Sequence, residues 1–148
     1  MDKYAERLTG FMWAVGCMND VADRVSDYFV LKLEESDSML TSLAIYHSTI
    51  TDKFPAAYWH PQLKACDEKT FLEKVALWFF EHKDTQRLPS SLKQNLLAHF
   101  QDGLTEMTGN ALFFILTTSP PVWYGSLYDE FVIESPYGRF LVHFSCHD

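Results

Sequence analysis

The sequence predicts an α+β fold, with about four helices over residues 3–108 packed on a small C-terminal antiparallel sheet over residues 111–147. Three features of the chain point to it. Apolar residues recur at helical spacing from residue 4 onward, the pattern changes after residue 110 to short β-prone runs, and Ser135-Pro136-Tyr137-Gly138 sits between two of those runs. With 148 residues, 47% of them hydrophobic, the chain is expected to form one globular domain, 1–148, that buries a core of its own.

Tyr4, Leu8, Phe11, Val15, Met18, Ala22, Val25 and Phe29 follow one another at alternating spacings of four and three, which predicts a long first helix with one buried stripe. Gly10 and Gly16 each cost such a helix about 1 kcal/mol against Ala, so a kink or break near Gly16 to Asn19 is compatible with the pattern. After the polar break Glu34–Ser38, Met39, Leu43, Tyr46 and Ile50 repeat at helical spacing and predict a second helix, although Ala44, Ile45 and the Ser and Thr residues around them also suit a strand. Prolines punctuate Phe54 to Pro61, which reads as an aromatic-rich ordered loop. Asp67 is placed to cap a third helix running to about Lys83, with Phe71, Leu72, Val75, Trp78 and Phe79 inward. Pro89-Ser90 opens a fourth, whose apolar face is Leu92, Leu96, Leu97, Phe100 and Leu104 and whose end falls at Gly103 or at Gly109-Asn110.

Ala111–Thr117 has the length and composition of a buried strand, stopped by Ser119-Pro120-Pro121. Pro at the second position and Gly at the fourth of Ser135–Gly138 predict a turn joining Asp129–Glu134 to Arg139–Cys146 in a hairpin. Pairing Ser135 with Gly138 sets Ile133 against Phe140, Phe131 against Val142 and Asp129 against Phe144 on an apolar side. The other side carries Glu134 opposite Arg139, Val132 opposite Leu141, Glu130 opposite His143 and Tyr128 opposite Ser145, with His147 at its end, and is expected to face solvent. Cys146 falls on the apolar side.

Charge narrows the function classes. The formal net charge is −8, concentrated at both ends: residues 1–49 carry 4 basic and 8 acidic groups, and residues 100–148 carry 1 and 6. A nucleic-acid partner is disfavoured, because such affinity comes from clustered Lys and Arg. Three cysteines, Cys17, Cys66 and Cys146, far apart and without a C-x-x-C pair, predict neither a disulfide framework nor a zinc knuckle and fit a cytoplasmic setting. The longest uncharged run, Met107–Tyr128, is broken by glycines and prolines, so no membrane span is expected.

Three constellations are candidate sites. Glu130 and His143 lie about 5 Å apart between Cβ atoms in the hairpin register, an arrangement in which a carboxylate orients an imidazole for general-base work, with Arg139 or His147 available for an anionic group. Against this, an outer strand face ordinarily carries polar cross-strand pairs. Asp20, Asp23 and Asp27 occupy one flank of the predicted first helix, with Glu34 and Glu35 beyond, and form either a solvated face or a surface that steers a basic protein. Tyr58 and Trp59, with Phe54 and His60, and Trp123 with Tyr124, are loop aromatics suited to an interface or to a lid over the core. Phosphate-loop, dinucleotide-binding, H-E-x-x-H and G-x-S-x-G motifs are absent from the sequence.

The expected function is therefore that of a small acidic interaction protein that neutralises or chaperones a more basic protein, as an immunity protein, an inhibitor or a secretion chaperone does, without cofactor or metal. The alternative is a small hydrolase-type enzyme using the Glu130/His143 pair. The helical stripe also admits a homodimer through the first helix.

Overall fold

The computed structural model describes residues 2–20, 24–50, 60–81, 83–119 and 127–147. In chain order the elements are α1 (Lys3–Asn19), β1 (Val25–Lys32), α2 (Met39–Ile50), β2 (His60–Cys66), α3 (Glu68–Phe80), the single turn α4 (Lys83–Gln86), α5 (Ser90–Thr108), β3 (Leu112–Ser119), β4 (Leu127–Ser135) and β5 (Gly138–His147). The five strands form one antiparallel sheet in the order β1-β5-β4-β3-β2. The predicted α+β class and its long helices are present, but the sheet is not confined to the C-terminus, since β1 and β2 come early and form its two edges.

Helix ends follow local chemistry. Asp2 accepts from the Tyr4 and Ala5 amides at the start of α1, and Asp67 accepts from the Thr70 amide at the start of α3, as its sequence position predicts. Hydrogen bonding to Thr70 lowers the Asp67 carboxyl below its ordinary pKa. Gly109, at φ 60, ends α5 in a conformation that favours glycine.

The predicted long first helix is corrected: it ends at Asn19, and Val25–Lys32 is a strand. Tyr28, Val30 and their neighbours are apolar on both sides because both faces of the sheet are covered, which erases the period-two signal and lets Val25 and Phe29 fit a helical period by coincidence. Leu8 and Val15 of the predicted stripe are buried inside the monomer, so that stripe is not available as a dimer seam, whereas Met18 points outward.

One face of the sheet carries the main core. Tyr28, Val30, Phe131, Ile133, Phe140, Val142, Phe144 and Cys146 pack there against Leu8, Met12 and Val15 of α1, Phe71, Val75 and Phe79 of α3, and Phe100, Leu104 and Met107 of α5. Phe79 meets Phe100 edge-on at 5.4 Å between centroids and Phe144 at 6.1 Å. The opposite face, expected to face solvent, is instead covered by α2: Met39 and Leu43 pack on Leu33, Leu116, Val132 and Leu141 in a second, smaller core.

Candidate functional site

The β4–β5 register is the one the turn predicts, with Ser135 opposite Gly138 and Glu130 opposite His143. His143 Nδ1 lies 3.2 Å from Glu130 Oε2, and its Nε2 lies 2.9 Å from Ser145 Oγ. With the proton on Nδ1, donated to the carboxylate, Nε2 accepts from the serine hydroxyl, so the three groups form a carboxylate–imidazole–hydroxyl row of the kind that activates a nucleophile. The Phe29 ring stacks on the imidazole at 4.8 Å. Burial, with the negative charges of Glu130 and Asp27 nearby, raises the phenol pKa of Tyr46 on α2 well above its ordinary value.

This row is closed to solvent. His143 and Ser145 are 0% exposed and Glu130 is 4% exposed. The other two residues predicted for this site do not join it. Arg139 lies four residues up β5, roughly 13 Å away along the strand, where its guanidinium binds Glu134 at 2.7 Å and donates to the Ser36 carbonyl at 2.7 Å. His147 is at the far end of β5, half-buried. Among the described residues, no group of three or more His, Cys, Asp or Glu side chains is placed to hold a metal.

The acidic set divides. Asp20 is half-buried, and its carboxylate accepts from the Ser26 amide at 2.7 Å. Asp27 is exposed on β1, so the two do not share a helix flank. Asp23, Tyr58, Trp59 and Trp123 lie outside the described residues, as do Phe54 and Tyr124, whereas His60 and Pro61, read as part of the aromatic loop, begin β2.

Glu34 and Glu35 have the most distinctive placement. They follow β1 at a corner where the β4–β5 turn also ends, and a cleft of 260 Å³ there is lined by Glu34, Glu35, Glu134, Tyr137 and Arg139 among others. Glu34, Glu35 and Asp37 are exposed and enter no salt bridge among the described residues. Arg139 holds this acidic segment in place through Ser36, whose hydroxyl also bonds Ser42 at 2.7 Å. Tyr137, 64% exposed, stands at the rim. A larger groove of 870 Å³ begins at the same Glu34 and runs between α1 and β1. Glu134 and Tyr137 flank the turn recognised in the sequence, but their proximity to Glu34 follows from the pairing of β1 with β5, which a helical reading of residues 25–29 conceals.

The fold has a solved counterpart. The crystal structure of citrus MAF1 superposes with a TM-score of 0.57 at 10% sequence identity, covering 99% of this chain and 98% of that one. At that identity the likeness is one of fold alone. No protein-family profile matches the chain, and no curated protein matches it by sequence. Among the described residues, no helix is long and apolar enough to cross a membrane.

Proposed function

We propose that this chain is a small interaction protein that captures a more basic protein through the acidic corner formed by Glu34, Glu35 and Asp37, with Tyr137 as the aromatic contact, and that it works as one domain without a cofactor. The observation that carries the reading is the fixed, un-neutralised state of Glu34 and Glu35: Arg139, the cation that shares their cleft, is engaged by Glu134 and the Ser36 carbonyl, so the two carboxylates are left to face outward. Exposed acids steer association over a Debye length of about 10 Å at 0.1 M salt and lose that reach at higher salt. Asp20 has a smaller part in this reading, because its carboxylate is already engaged by Ser26.

Affinity capture from the native lysate at low and moderate salt tests it. One dominant basic partner, released as salt rises and captured less well by an E34K/E35K variant than by an E68K/E73K variant of equal net charge, is the expected result. A partner whose binding ignores both salt and the Glu34/Glu35 reversal removes the reading.

A second reading, a hydrolase-type enzyme, draws support from the hydrogen-bonded Glu130–His143–Ser145 row. It requires α2 to leave the sheet, since the row is closed beneath it. Ester hydrolysis that disappears in both Ser145→Ala and His143→Ala would support it, and equal rates in wild type and both variants would end it.

A further inference from the structure

The 870 Å³ groove lies between the first turns of α1 and the end of β1, two elements that run side by side. Near the C-terminal end of α1 they are in contact: a Cβ at Gly16 would stand 3.4 Å from the Tyr28 ring. One stage further along, the Thr9 hydroxyl donates to the Val30 carbonyl at 2.7 Å and accepts from the Val30 amide at 3.0 Å, so the side chain of α1 occupies the hydrogen-bonding position of a neighbouring strand. Beyond Thr9, toward the start of α1, the groove is lined by Asp2, Tyr4 and Glu6 on one wall and Phe29, Lys32 and Glu34 on the other.

Strand alternation fixes which backbone groups face this opening. Val30 turns its amide and carbonyl outward to Thr9, whereas the Leu33 amide turns inward to the Arg139 carbonyl at 2.8 Å. In an antiparallel ladder outward and inward residues alternate, so Lys32 shares the direction of Val30 and points its N–H and C=O into the groove. β1 is an edge strand, and an edge with an outward amide and carbonyl is a template for another strand.

Charge and side-chain alternation select the occupant. The groove is lined by three carboxylates, Asp2, Glu6 and Glu34, against two ammonium groups, Lys3 and Lys32, and the Lys32 ammonium lies 3.9 Å from Asp2, so the lining is acidic by one charge, with Glu6 and Glu34 exposed. Glu6 stands on the α1 side, and the half-buried Phe29 and Leu31 belong to the other face of the sheet. An added strand would put alternate side chains toward each.

We propose that this groove takes an extended segment of alternating basic and apolar residues from the partner, added to the sheet as a sixth strand on Lys32. The proposal rests on the basic-partner reading and specifies its mode of binding.

The test uses the full chain, 15N-labelled, titrated with the capped peptide Lys-Val-Lys-Val-Lys, its counterpart Glu-Val-Glu-Val-Glu, and a Lys-Val peptide methylated on its central amide nitrogen. The expected result is amide shifts centred on residues 4–6 and 32–34 with the basic peptide, slowed hydrogen exchange at Lys32, and binding weakened about tenfold by N-methylation, the loss expected for a main-chain hydrogen bond. Proline is tolerated on an edge strand at an outward amide, so Lys32→Pro should fold and bind about tenfold more weakly than Lys32→Ala. Equal binding by the N-methylated peptide overturns strand addition and leaves the basic-partner reading intact. Equal binding by the acidic peptide overturns both, and so does the absence of shifts with any peptide when the captured partner also fails to bind. Absent shifts while the captured partner still binds overturn this proposal alone.

Discussion

Asn19 shows how much one side chain settles at the end of α1. It is buried, and its amide nitrogen donates toward Tyr28 Oη at 3.2 Å and the carbonyls of Trp78 and Phe79 at 3.2 and 3.3 Å, groups that the end of α3 would otherwise leave without intrahelical partners. The Tyr28 hydroxyl adds a bond to the Trp78 carbonyl at 2.9 Å, and burial raises its pKa. Asn19→Ala should therefore cost about 1–3 kcal/mol, the penalty for stranding buried polar groups, read as a lower urea midpoint at unchanged slope. Two glycines give opposite expectations. Gly10 lies within α1 with open space where a methyl group would stand, so Gly10→Ala should stabilise by about 0.5–1 kcal/mol. Gly138 has φ 142, and a Cβ there would stand 2.6 Å from Lys32 Cε, so Gly138→Ala should lower the thermal midpoint and disturb the corner that Arg139 organises.

Among the elements, α2 is held differently from the other long helices. Where α1, α3 and α5 share a large aromatic-rich core, α2 rests on a small aliphatic cluster, carries the buried polar residues Ser42 and His47, and sets Tyr46 near Glu130 of the sheet. Its amides should exchange with deuterium faster than those of α5, since local opening costs least where few apolar contacts must be broken. Tyr46 adds a pH dependence whose direction is fixed. Burial first, then the nearby carboxylates, raises its pKa above the ordinary 10.0, so the folded protein favours the protonated phenol. The associated stability is fully present below pH 10 and is lost as pH rises above that toward the folded value. Tyr46→Phe should remove this alkaline loss, seen as a flatter dependence of α2 exchange protection on pH between roughly 9 and 11 after correction for intrinsic exchange rates.

At the scale of the whole molecule, one sheet separates two cores of unequal weight. Phe79→Ala on the larger side should cost about 3–5 kcal/mol, a large share of the roughly 5–15 kcal/mol typical of a domain, and should lower the global melting temperature. Leu43→Ala on the smaller side should release α2 while the amides of β4, β5 and α5 keep their protection, which hydrogen exchange resolves residue by residue. The acidic corner belongs to this scale too, because it joins the end of β1, the loop before α2 and the β4–β5 turn, three segments brought together by the β1–β5 pairing.

Elements whose signals are local could be read directly from the amino-acid order. The Asp67 cap acts on an amide three residues away, α3 and α5 show one-sided apolar periods, and the Ser-Pro-Tyr-Gly turn sets a register that places Glu130 opposite His143 and Cys146 in the core. What covers each face of the sheet, by contrast, is a matter of tertiary packing. Because α2 closes the second face, the Glu130–His143 pair is buried rather than exposed, and because β1 is apolar on both sides its alternation disappears and its residues mimic a helix. The meeting of Glu34 with Glu134 and the opening of the groove beside Lys32 depend on β1 pairing with a strand about a hundred positions away, and no periodicity within a short window of sequence encodes such a pairing.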